Sequence, residues 1–401
     1  MNYILFDGPV RDNLLPFTFT RPIADIRIGI LTIREKWEKF LKVKTSTLTE
    51  DYLSEKYPMI KDKVNVLING SVCPNAELVK EIKNLKPHQS LTLGEYMIAY
   101  CIPEEEMTKT DDEESDETIE DIETANVKIK INELWDIFSY NGEAIEEDFA
   151  LLTKGRKSET ANETNTLIHP EKIFIEKGAK INCAVLNASN GPIYIGKNAE
   201  VMEGSFVRGP IALCDDATLK MGAKIYGPTT IGPFCKVGGE VNNSVFFGYS
   251  NKAHDGFMGH SVIGEWCNIG ADSNTSNLKN NYAEVRLWSY PQRKFVSTNL
   301  QFCGLMMGDH SKCGINTMFN TGTVVGVSSN IFGSGFQRNF VASFSWGGVN
   351  GMTTFEVSKA IDVAEEVYKR REMVLSEMDK KILKHIFRIT FEYRNIRTDK
   401  E

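Results

Sequence analysis

From residue 195 to residue 237 an aliphatic side chain recurs at every sixth position: Ile195, Val201, Val207, Leu213, Leu219, Ile225, Ile231 and Val237. A small residue follows four positions after most of them, at Ala199, Ser205, Ala217, Ala223, Thr229 and Cys235. A period of six matches neither the 3.6 of an α-helix nor the alternation of an ordinary strand. It is the hexapeptide repeat of a parallel β-helix, in which each side of a triangular coil sends one aliphatic residue inward and three hexads complete a coil. Ile175 and Ile181 share the period but are offset by the insertion "NASNGP"; Phe257, Ile263 and Ile269 resume it, followed by Met307, Cys313, Phe319, Val325 and Ile331. The spacing predicts coils over about residues 170–335 within a domain spanning 166–350, with the listed aliphatics pointing inward. The phase slips near 238–256, and the non-periodic stretch 278–302 is expected to leave the stack as a loop. Loops leaving a rigid scaffold are where ligand chemistry concentrates.

Residues 1–165 read differently. Strand-like runs ("NYILF", "KVNVLING") mix with helical ones ("IRIGILTIREKWEKFLK", "NAELVKEIKNL"), as in an α/β nucleotide-type domain. The acidic stretch at about 103–121, without aromatic residues, is expected to be a solvated excursion. The segment 351–401 reads as one long amphipathic helix. Thr353 or Thr354 is its N-cap, Glu356 offers the reciprocal carboxylate, and Ala360, Ala364, Val367, Val374, Met378 and Ile382 form the apolar face. Its expected role is to cap the open end of the solenoid.

Composition narrows the function. The chain of 401 residues carries a formal charge of -8, which does not supply the clustered Lys and Arg of a nucleic-acid surface. Eight cysteines without a C-x-x-C pair fit reduced thiols and a cytoplasmic location. No run of about 18 apolar residues and no export signal is read from the sequence.

The stretch "KAHDGFMGHSVIGEWCNIGADSNTSN", residues 252–277, carries the most specific motif. It resembles the acetyltransferase part of the bacterial bifunctional N-acetylglucosamine-1-phosphate uridylyltransferase and glucosamine-1-phosphate acetyltransferase family. There a lysine-small-histidine element leads into an aromatic-aliphatic-Gly step, an N-I-G-A sequence and an asparagine. The resemblance implies an N-terminal nucleotidyltransferase domain followed by a β-helix acyltransferase, acting as a homotrimer on acetyl-CoA and a sugar phosphate or nucleotide sugar. It places His254 as general base, Asn268 at the sugar phosphate, and Ala271 and Asn277 along the acceptor and acetyl-CoA site. "MGDHSKCGINTMFNTGTVVG" is similar to the coil under the CoA arm, and Ile315 and Gly333 fall on that side. An amine attacking a thioester must shed a proton, and a group titrating near neutrality can accept it. His260, one hexad further on, is read as structural. Three departures bear on the acceptor and on CoA: Phe257 stands where the family has an aromatic hydroxyl, Asn242 or Asn243 where it has a basic residue, and Ile315 where it has a CoA-contacting serine.

In the N-terminal region, "DGPVRDNLLPFTFTRPIADIRIG" resembles the family's nucleotidyltransferase signature. Arg11, Arg21 and Arg27 become nucleotide- or phosphate-binding candidates, with pairing of Arg21 to Asp25 and of Arg27 to Asp12 as the alternative. Ile23 occupies the place of the substrate lysine and Ser71 that of the Mg²⁺-binding aspartate, leaving Asp7 or Asp136 as relocated metal ligands if Mg²⁺ is used. Three readings follow: acetyl transfer with an altered nucleotidyltransferase domain, active sugar-1-phosphate nucleotidyl transfer, or a non-catalytic sugar-nucleotide sensor or scaffold.

Overall fold

A computed structural model describes residues 2–108 and 119–394. The acidic excursion lies mostly outside the described residues; its last residues enter the edge strand Glu120–Glu123. The chain packs as two units. The first takes in residues up to Leu14, Thr20–Ile26 and Leu31–Glu133; the second takes in Leu15–Phe19, Arg27–Ile30 and everything from Leu134 onward.

The first unit is a mixed six-stranded sheet in the order Ser46–Leu48, Asn2–Phe6, Val64–Asn69, Tyr96–Pro103, Gln89–Leu93, Glu120–Glu123. The first three strands pair in parallel. Both runs expected to be strands here are strands, but the first expected helix begins late, at Ile33. Thr32 stops it from starting earlier: its hydroxyl accepts from the Glu35 amide at 3.1 Å while the Glu35 carboxylate accepts from the Thr32 amide at 2.7 Å. Trp37 on this helix is fully buried, and its indole donates to the Val72 carbonyl at 2.8 Å.

The second unit is the left-handed parallel β-helix. Three sheets of six, nine and ten strands form its faces among the described residues. One column of the second face stacks Ile175, Ile195, Leu213, Ile231, Phe246, Ile263, Met307, Val325 and Val341 in register, all buried. Burial of this continuous aliphatic column is what a lone coil lacks, so the coils stabilise one another only as a stack. The expected inward residues are in the core with one exception. Phe257 is half-buried on the outside, and Met258 takes the inward slot opposite Val241. The shortened spacing Val237, Val241, Phe246, Lys252, Met258 produces this shift.

Segment 278–302 is not a free loop. It contains an antiparallel hairpin, Arg286–Ser289 with Lys294–Ser297, whose Trp288 stacks on Phe340 at 4.3 Å. Tyr290 meets Phe340 and Phe19 edge-on. Among the described residues the C-terminal region is three helices rather than one, Val357–Lys369, Glu377–Ile389 and the short Phe391–Arg394. Glu372 in left-handed conformation breaks the run, and Ser376 caps the second helix by accepting from the Asp379 amide at 3.1 Å. Val374 of the expected apolar face is 89% exposed, while Ala360, Ala364 and Ile382 are buried. Thr353 and Thr354 belong to a strand, Gly351–Thr354, that pairs antiparallel with Ser345–Gly348 and so covers the last edge of the third face. The helices dock on the flank of the coils: Tyr368 stacks on Trp266 at 3.9 Å and Phe387 meets Phe344 edge-on at 5.2 Å. Among the described residues no helix is long and apolar enough to cross a membrane.

Candidate functional site

Where the third face turns into the first, successive coils stack their corners. Hydrogen bonds along the axis hold them: the Asp272 amide donates to the Asp255 carbonyl at 3.0 Å and the Asn316 amide to the Ala271 carbonyl at 2.8 Å. The corners open on a cleft of about 600 Å³ lined by Lys220, Met221, His254, Asp255, Ala271 and Asp272. His254 sits in the turn between Asn251–Lys252 and Phe257–Gly259 and is exposed. Among the described residues its imidazole makes no hydrogen bond, so both ring nitrogens face solvent or a ligand. Ile315, 71% exposed, and Gly333, with open space around its Cα, lie on the same corner in later coils.

The remaining predicted residues fall elsewhere on the helix. Asn268 is exposed on the third face between Asn251 and Lys312. Phe257 is on the first face, its amide donating to the Asn274 side chain at 2.8 Å. Asn242 ends the adjoining first-face strand, where its carbonyl accepts from the His260 amide at 3.0 Å. Asn277 belongs with it: its amide donates to His260 Nδ1 at 2.9 Å. The structure thus gathers His254, Ala271, Ile315 and Gly333 at one corner and sets Asn242 and Asn277 at the other end of the first-face strands.

His260 is held by Phe138, edge-on at 5.7 Å, and by Phe302, stacked at 5.1 Å. Burial pushes its pKa down to about 4, so the ring is neutral at pH 7 and its Nδ1 accepts from Asn277. The unfolded chain, with an ordinary imidazole, binds a proton that the folded chain does not between about pH 6.5 and 4. Stability therefore falls as pH drops through that window. The urea midpoint of the wild type is expected to decline there relative to His260→Phe, whose own midpoint lacks this component; parallel profiles for the two proteins would show that His260 is not buried neutral.

In the first unit Arg11 is buried and already paired. It donates to the Tyr52 hydroxyl at 2.7 Å and lies 3.3 Å from Asp12 and 3.4 Å from Asp7. Burial pushes Tyr52 up to about 12 and raises Asp7 above the usual carboxylate range. Both Asp7 oxygens also accept hydrogen bonds, from the Ile23 amide at 2.7 Å and the Thr49 hydroxyl at 2.5 Å. Arg21 is buried in the same unit. Arg27 belongs to the second unit, where it donates to the backbone carbonyls of Phe247 and Ile30. Asp25 binds Arg34 through two bonds of 2.8 Å, and Asp12 binds Arg11. Ser71 is buried and donates to the Asn69 side chain at 2.8 Å. Asp136 opens a short helix in the second unit. Ser71 and Asp7 are thus committed to protein partners, and among the described residues no group of three His, Cys, Asp or Glu is placed to hold a metal. Ser71 has no carboxylate to offer a Mg²⁺, and of the two aspartates read as relocated ligands Asp7 already accepts from Ile23 and Thr49.

Sequence reasoning quoted Lys252 only as the lysine of the lysine-small-histidine element and gave it no role. Its side chain points into the solenoid and is 1% exposed. The shortened coil spacing concealed it, because a strict count of six from Val237 does not land on the inward slots of that coil.

Residues 3–157 match the sugar nucleotidyl transferase family. The chain is 26% identical over 144 residues to a bifunctional sugar-1-phosphate nucleotidylyltransferase/acetyltransferase of Sulfurisphaera tokodaii, covering 35% of each chain. It is 27% identical over 139 residues to the bifunctional protein GlmU of Methanocaldococcus jannaschii, covering 35% of this chain and 28% of that one. The match thus spans about a third of these relatives' length. Among solved structures, the polySia-specific acetyltransferase NeuO aligns over 48% of this chain and 82% of its own at 13% identity and a TM-score of 0.26. An Arabidopsis UDP-N-acetylglucosamine acyltransferase aligns over 60% and 84% at 15% identity and a TM-score of 0.22. The chain joins a region that matches the sugar nucleotidyl transferase family model, residues 3–157, to a left-handed parallel β-helix.

Proposed function

We propose that the β-helix transfers an acetyl group from acetyl-CoA to the amine of an amino sugar phosphate or nucleotide sugar, in the cytoplasm and as a homotrimer. The observation that carries this reading is the exposed, unbonded imidazole of His254 in a cleft on the corner shared with Ala271, Ile315 and Gly333. The acceptor nitrogen attacks the thioester carbonyl; the new C–N bond forms, the C–S bond breaks, and His254 carries the amine proton to the departing thiolate. Backbone N–H groups of the corner turns stabilise the oxyanion. Asp255 and Asp272 line the same cleft and attract a cationic amine. Ile315 offers no side-chain hydrogen bond, so CoA is held there by the backbone. Asn268 and Phe257 flank the acceptor, whereas Asn242 and Asn277, at the far end of the first-face strands, contact its distal part.

The family match over residues 3–157 favours a second activity, sugar-1-phosphate nucleotidyl transfer. The commitments of Ser71, Asp7 and Arg11 argue that it is weak, because phosphoryl chemistry needs metal and cationic groups free to meet the phosphates. The full chain, incubated with acetyl-CoA and a panel of amino sugar phosphates, is expected to release free thiol with one of them and to sediment as a trimer. With UTP or dTTP, a sugar 1-phosphate and Mg²⁺ it is expected to release little pyrophosphate. Robust pyrophosphate release without thiol release would reverse the assignment. Binding of a nucleotide sugar with neither reaction would make the protein a sensor.

A further inference from the structure

Lys252 stands in an inward slot of the third face, paired in register with Val237, where the neighbouring coils place Leu219 and Ile269. It is among the largest fully buried side chains of the protein. An ammonium in an apolar solenoid is destabilising relative to an aliphatic residue of similar volume, so the choice of lysine calls for a reason other than packing. Its contacts supply one. The Nζ reaches the corner and donates to the carbonyl of Gly238 at 3.0 Å and to the carbonyl of His254 at 2.7 Å. Gly239 makes room for it, since a Cβ at that position would lie 2.9 Å from the Nζ. In the turn it grips, the carbonyls of Asp255 and Gly256 accept from the Asp272 and Glu240 amides of neighbouring coils, and the Lys252 ammonium donates to the carbonyl of His254.

We propose that Lys252 is the positioning residue of the His254 cleft, its ammonium tying the His254 carbonyl to the solenoid core so that the imidazole is held over the acceptor. This rests on the reading of His254 as the base. Lysine is suited to the task because its four-carbon stem replaces the aliphatic side chain along the core while its head reaches the corner. The charged and titratable groups acting on it are the carboxylates of Asp255 and Asp272 and the thiol of Cys313.

Lys252→Met tests the proposal, because methionine completes the aliphatic column and removes only the two hydrogen bonds. The variant is expected to keep or exceed the wild-type urea midpoint, to lose about 10- to 100-fold in kcat for acetyl transfer with KM for acetyl-CoA nearly unchanged, and to shift the His254 imidazole NMR signal. Unchanged kcat and an unmoved imidazole signal would overturn the proposal, as would parallel loss of stability and activity, which is the mark of a structural residue. The imidazole signal separates the two hypotheses: if it moves in a protein with no acetyl transfer at all, positioning stands and the acetyl-transfer reading falls. Should the variant fail to fold, the wild type provides the test. The Lys252 ammonium signal is expected to show a through-hydrogen-bond coupling to the His254 carbonyl carbon, and a resolved ammonium signal without that coupling would overturn the tie.

Discussion

Leu219→Asp is expected to leave a chain that cannot form its β-helix. Leu219 is fully buried on the third face, in register between Val201 and Val237. Removing the leucine side chain alone costs roughly 2–5 kcal/mol, and an unpaired carboxylate in its place adds several more. That total approaches or exceeds the roughly 5–15 kcal/mol by which a domain is stable. The position matters as well as the amount, because each coil is stabilised by its neighbours and a break in mid-stack exposes two apolar ends. The same column accommodates Lys252 because a long stem lets the charge reach carbonyls at the corner, whereas the aspartate carboxylate is confined to the core. Met221→Asp, two residues on and 69% exposed, is the matched control and is expected to change stability by less than about 0.5 kcal/mol. Far-UV circular dichroism and urea titration of both variants decide the matter. A Leu219→Asp protein with a cooperative transition near that of the wild type would mean that this slot tolerates charge and that the inward column is not what holds the coils together.

The repeat was legible because an inward slot of a narrow solenoid admits little besides an aliphatic side chain, so the requirement is local and recurs. Where the coil shortens, legibility fails. The inward residues Val237, Val241, Phe246, Lys252 and Met258 follow unequal steps set by corner geometry, including Tyr249 in left-handed conformation, and a fixed period of six therefore selected Phe257 over Met258. Lys252 was missed for a second reason: lysine is almost never fully buried, and only the carbonyls awaiting it at the corner reveal why this one is. Long-range packing was equally opaque. Nothing in "IRIGILTIREKW" says that Arg27–Ile30 packs with the solenoid unit while Ile33 starts a helix in the other, since Arg27 donates to backbone carbonyls, one of them at Phe247, that no side-chain pattern announces. In the C-terminal region the apolar pattern runs through the break, and Val374, which joins the two halves on a helical projection, is in solvent. At the cleft, the motif at 252–277 contained both His254 and Ala271, which line it, but could not show that Asn277 is bonded to His260 at the other end of the face.

His254→Ala is expected to lower acetyl transfer by about 10²–10⁴-fold, the usual effect of removing a general base. The structure makes this a clean substitution. The imidazole is exposed and makes no hydrogen bond among the described residues, so its truncation leaves no buried partner unsatisfied. The bond from Lys252 goes to the backbone carbonyl of residue 254 and survives the change, which keeps the turn in place. Stability should therefore move by less than about 0.5 kcal/mol, and the loss should appear in kcat, with KM for acetyl-CoA little altered. His254→Ala and Lys252→Met then give different patterns: the first removes the proton acceptor and takes the larger loss in kcat with the turn still tied, while the second leaves the acceptor present but misplaced, with the smaller loss and a moved imidazole signal. Near-wild-type turnover by His254→Ala on the acceptor used by the wild type would show that the amine loses its proton elsewhere. The imidazole would then be an ordinary turn residue, and the carboxylates of Asp255 and Asp272, on the same cleft, would be the next groups to test.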